Sequence, residues 1–178
     1  MKKIRYGSDA KVNPGPISRI TAYFAVPALF AIVLLADCAS PTHSGRQAMV
    51  HEMGHHVMPF ELSKTQHIFE MTDNGGVQQV IVKDPGDKEQ IALIQGHLQH
   101  LATEFRAGDF STPVSLHGAD MPGLKELAAG AARIKVEYAA LPNGGRITFT
   151  TDDLHLVTAI HRWFGAQLSD HGTDATYR

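Results

Sequence analysis

Apolar positions along this 178-residue chain form one unbroken run, then a patternless stretch, then two passages in which period 2 gives way to period 3.6. The unbroken run is Ile20 to Ala36, interrupted only by Pro27 and preceded by Lys2, Lys3, Arg5, Lys11 and Arg19. A basic stretch, an apolar core and then small residues is the order of a secretory signal, and the run is short for a stable membrane span. Residues 1–38 are therefore expected to be a signal or lipoprotein-like export segment. Residues 39–64 follow neither period and are rich in Ser, His, Met and Gly, so they are expected to form a flexible leader.

Regular patterning begins near His67. Ile68, Phe69 and Met71 lead into Asp73-Asn74-Gly75-Gly76, and Val77, Val80, Ile81 and Val82 lead out, which predicts a hairpin over 67–83. Ile91, Ile94, Leu98, Leu101 and Phe105 then step by three and four, the stripe of a helix over about 87–107. The pattern returns in a hairpin over 133–151 that turns at Pro142-Asn143-Gly144-Gly145. After it, Val157, Ile160, Phe164 and Leu168 predict a helix over about 153–169. Between the two passages, Asp120 to Ala132 offers a cap, Pro122 and a short apolar helix through Leu124 and Leu127. The expected fold is α+β: residues 65–178 form a duplicated domain of two ββα repeats sharing a four-stranded antiparallel sheet, with both helices on one face.

Charge and cysteine content narrow the function. Five of the sixteen basic residues and two of the eighteen acidic ones precede Cys38, leaving a net charge of −5 beyond it. That is no footprint for a nucleic-acid backbone. Cys38 is the only cysteine, so the exported part can form no internal disulfide and must rely on packing or a bound ion. All eleven histidines and five of the six methionines also lie beyond Cys38.

These donors are densest in the leader. Met49, His51, Met53, His55, His56 and Met58 place three thioethers and three imidazoles within ten residues. Thioether sulfur favours Cu(I) and imidazole suits several late metals, whereas a hard ion would call for clustered carboxylates. A copper ion is therefore the expected cofactor, with zinc the alternative. On the first helix, His97 and His100 stand near Glu104 and could converge on a metal, or simply hydrogen-bond the acid on a solvated flank. Gly96 beside them hints at close approach by another element. The loop from His117 to Gly123 adds His117 and Met121 as candidate ligands. His171 is both a candidate ligand and a residue favoured by the helix dipole at a helix end. His155 and His161 are expected to be packed or solvated.

Two stretches carry a resemblance. Leu35-Ala36-Asp37-Cys38 resembles the bacterial lipobox, which implies lipidation at Cys38, although Asp37 stands where a small residue is usual. The stretch from about Met58 to Gly172, with its opening MPFELSKTQHIFE, central HGADMPGL and terminal FGAQLSDHG, resembles a family of small, mostly uncharacterised bacterial proteins. Some members have carried the label aspartate carbamoyltransferase. That transferase needs a much longer two-domain fold and a Ser-Thr-Arg-Thr phosphate loop, and this chain has neither. No G-x-S-x-G elbow, P-loop or G-x-G-x-x-G motif is present. The expectation is an exported, non-enzymatic metal-binding protein of the periplasm or envelope, held at the membrane by its signal or a lipid and open to an envelope protein partner. The alternative is a binding module that uses no metal.

Overall fold

The computed structural model describes residues 42–178 and Gly15, and residues 42–178 fall within one compact unit, Cys38–Arg178. Cys38 and, apart from Gly15, the export segment lie outside the described residues. In chain order the elements are α1 (His43–Val57), the hairpin β1 (Thr65–Thr72) and β2 (Gly75–Val82), α2 (Lys88–Arg106), α3 (Ser111–His117), α4 (Leu124–Gly130), the hairpin β3 (Lys135–Leu141) and β4 (Gly144–Thr150), α5 (Leu154–His171) and β5 (Ala175–Tyr177). Among the described residues, no helix is long and apolar enough to cross a membrane.

The α+β class stands, but the expected sheet does not. Five strands lie in the order β3-β4-β2-β1-β5, and β5 pairs parallel to β1 in an otherwise antiparallel sheet. Nor are there two self-contained ββα repeats. α2 packs against β3 and β4 of the distant hairpin, while α5 packs against β1 and β2. The physical reason is the side-chain rows of the sheet. Phe69, Gln78, Ile147 and Tyr138 are cross-strand partners in one row, and Met71, Gly76, Phe149 and Val136 make the next. These rows run through both hairpins, so one apolar face is covered jointly by two helices. Gly76 is the point of closest approach, since a Cβ there would stand 2.6 Å from the Phe164 ring.

The leader is a second correction. Residues 43–57, expected to be flexible, form α1, capped by the Thr42 hydroxyl, which accepts from the Gly45 N–H. Only Val50 and Gly54 of α1 are buried, so its sequence carries almost no apolar stripe. Polar contacts anchor it instead: Arg46 reaches Asp170 and the His117 carbonyl, and Gln47 donates to the Ser169 carbonyl.

Beneath the helices lies an aromatic core. Trp163 meets Phe105, Phe110 and Phe149 edge to face at 5.6 to 5.7 Å, and Phe69 packs on Phe164 at 5.0 Å. Edge-to-face contacts of this kind add to area burial. One end of this core is not apolar, and that end holds the chemistry.

Candidate functional site

Two helices end on a histidine followed by a glycine with positive φ. α3 ends at His117 and Gly118 (φ 86°), and α5 ends at His171 and Gly172 (φ 55°). Glycine adopts this backbone without strain, so each chain turns away at once and leaves its imidazole inside. His67 enters from β1 on the same sheet face as Phe69. The three rings meet: His67 and His171 stack at 4.6 Å and 13°, and His117 meets His171 edge to face at 5.0 Å.

A carboxylate holds one of them. Asp170 Oδ2 accepts from His117 Nδ1 at 2.9 Å and from Arg46 Nη2 at 2.6 Å, while Arg46 Nε binds Oδ1 and Nη2 also donates to the His117 carbonyl. Burial alone would raise the Asp170 pKa, but hydrogen bonds and charge from His117 and Arg46 outweigh it and take it down to about 2. Because Asp170 is ionised, His117 Nδ1 must carry the proton. Nε2 is the nitrogen left to meet a guest.

The other rings are kept uncharged by their surroundings. Burial, with the neighbouring charges of His97 and His117, takes His67 down to about 4. Burial and His100 do the same for His97. His171 is lowered well below its ordinary value by burial, then by His67 and His117.

These residues line a cavity of about 40 Å³, with Met58, Phe60, Phe105, Gln78, Trp163 and Gln167 in its wall. Among the described residues, four buried side-chain atoms have no hydrogen-bond partner: His67 Nδ1, Gln78 Oε1, Trp163 Nε1 and Gln167 Nε2. All four belong to residues of this one wall. An unpaired buried polar group costs about 1–3 kcal/mol, so four together rival the ~5–15 kcal/mol net stability of a domain. A guest that supplies both donors and acceptors would offset that cost. At ~10–15 Å³ per water the space admits about three waters, or an ion with one or two, and it falls far below the ~300 Å³ of an ordinary organic-ligand pocket.

The sequence-derived candidates divide three ways. Met58, His97, His117 and His171 line the cavity. Met121 is buried but lines a separate groove with Asp120 and Pro122, outside the cavity. Met49, His51, Met53, His55 and His56 are exposed along α1, because a helix spreads consecutive side chains around its axis instead of converging them. The pairing of His97 with His100 also fails. His97 turns to Phe60 at 5.6 Å, whereas exposed His100 binds Glu104 at 3.1 Å. Nothing approaches Gly96. His161 donates from Nε2 to the Thr72 and Gly75 carbonyls and so braces the first hairpin.

Sequence reasoning missed His67, Gln78, Gln167, Asp170 and Arg46. A signal existed for three of them: His67 and Gln78 alternate with Phe69 and Val80 on the inward face, and Gln167 interrupts the apolar stripe of α5. Thr112, the one hydroxyl on the cavity wall, donates to Glu104. Comparison with family models, curated proteins and solved structures finds no match.

Proposed function

We propose that the chain is an exported binding protein of the bacterial envelope that captures copper, or a similar soft ion, in the imidazole-lined cavity. The observation that carries this is the donor set around one small space: three crowded imidazoles, two of them driven strongly toward the neutral form that binds metal, with the Met58 thioether in the same wall. Asp170 behind His117 Nδ1 is the outer partner that fixes a ligating imidazole and raises its basicity. Among the described residues no three of His, Cys, Asp or Glu stand ready-made around an ion. Stacked rings present faces to each other, so His67 or His171 must turn for both nitrogens to reach one guest. A soft ion that accepts few ligands, one of them a thioether, makes the smallest demand of this kind.

The test is a Cu(I) titration of the untagged chain against a chromogenic chelator, with His67→Gln and Met58→Leu alongside. Uptake in the native chain that weakens in both variants is expected. An empty native chain offered Cu(I), Ag(I) and Zn(II) overturns the proposal.

A second reading has its own observation. The Trp163 indole N–H donates only and cannot ligate a metal, and with Gln78 and Gln167 it would suit an uncharged polar molecule of a few heavy atoms. Such a guest would co-purify without metal and raise the melting temperature when added back.

A further inference from the structure

The cavity is not the only place where imidazoles meet. His51 and His55 lie four residues apart on α1, one turn along the same face, with ring centroids 5.4 Å apart and planes at 85°. His51-Glu52-Met53-Gly54-His55 has the H-E-x-x-H spacing, in which two histidines on one helical face form a two-point chelate for late metals. His51 Nδ1 stands 3.0 Å from Asp174 Oδ2, in the turn that follows α5. With the carboxylate accepting from Nδ1, Nε2 of His51 is the nitrogen left for an ion, the same outer arrangement that Asp170 gives His117. Unlike the cavity rings, this pair meets solvent, the His51 side chain being 46% exposed.

The pair also lies beside the interior cluster. His171 sits three residues before Asp174, and His51 is near enough for its charge to count among the causes that lower His171. From His171 the next rings are His67 at 4.6 Å and His117 at 5.0 Å. Gln47, one turn before His51, donates to the Ser169 carbonyl at 2.9 Å and keeps this part of α1 against the end of α5. Asp174, which holds His51, thus stands three residues beyond the His171 of the buried wall.

We propose that His51 and His55, oriented by Asp174, form a surface metal site that receives the ion first and passes it to His171. This rests on the cavity reading for its destination, though not for the surface chelate itself. The transfer is ligand exchange between imidazoles, with no change of oxidation state.

The experiment uses the full chain and the double variant His51→Asn/His55→Gln, whose exposed positions leave the fold intact as checked by circular dichroism. Buffered Cu(I) is mixed with each and loading is followed by stopped flow. The double variant is expected to bind one Cu(I) fewer and to load the remainder roughly tenfold more slowly. Unchanged stoichiometry and rate overturn the proposal. A second arm adds Zn(II) and follows histidine ring resonances by NMR. Shifts at His51 and His55 that vanish in the double variant support the surface site even where Cu(I) never enters, and that combination sinks the cavity reading alone. Rings of His51 and His55 that stay silent to both ions sink the surface site whatever the cavity does.

Discussion

On α1, His51 and His55 stand in solvent one turn apart, whereas His67, His117 and His171 crowd together in the interior. The residue type is the same and the energetics are not. Outside, each ring stays in contact with water at little cost to the fold. Inside, burial removes the charge from the rings, and four polar atoms are left without partners unless something else occupies the space. The dense Met/His run marks where donors are plentiful in the chain. The cavity marks where the fold gathers polar atoms that need water or a guest as partner, and such an arrangement points to binding more strongly than composition does.

Acid should separate the two regions most sharply. The folded chain holds His67 and His97 at about 4 and His171 low, while the unfolded chain protonates histidine near its ordinary value of about 6.5. The unfolded state therefore gains protons first as pH falls. Stability should be full above about 6.5 and drop through pH 4 by an amount on the order of several kcal/mol. Asp170, held at about 2, adds a further loss below its ordinary value, between about pH 4 and 2. Denaturant melts at stepped pH would show this, and His67→Phe should shrink the upper part of the loss.

Removing charge behind the rings comes next. Asp170→Asn leaves Arg46 and His117 facing a neutral amide in a nearly buried place, and should cost about 2–4 kcal/mol in thermal melts. Asp174→Asn, which breaks the more exposed pair with His51, should cost less than about 1 kcal/mol. A smaller effect has the opposite sign. Gln78→Leu removes an unpartnered acceptor from the cavity wall, so the empty protein should be unchanged or stabilised by up to about 1 kcal/mol while its hold on any guest weakens. The least effect is expected from His51→Asn without metal, within about 0.5 kcal/mol by melting temperature.

Much of the scaffold was readable because periodicity survives tertiary context. The stripes of α2 and α5 and the two Asn-Gly turns set four strands and two long helices within a few residues. α1 was not readable, since Val50 and Gly54 are its only buried residues and its hold on the domain comes from Arg46 and Gln47 reaching far along the chain. β5 is three residues long and exists only because β1 offers it an edge. Half of the site was visible as histidines. The remainder are ordinary residues: Gln78 and Gln167 matter because they face the same void, and Asp170 and Arg46 because they meet behind His117, and no local spacing encodes either.

The crossed packing of the helices bears on how the chain must assemble. Each hairpin draws much of its cover from the helix of the other half of the chain, α2 lying mainly on β3 and β4 and α5 on β1 and β2. The first half, as it is made, would be sticky and unfinished, waiting for α5. Split near Gly118, the two fragments would each be insoluble alone and soluble when produced together, with recovery of the parent's melting behaviour as the sign of reunion.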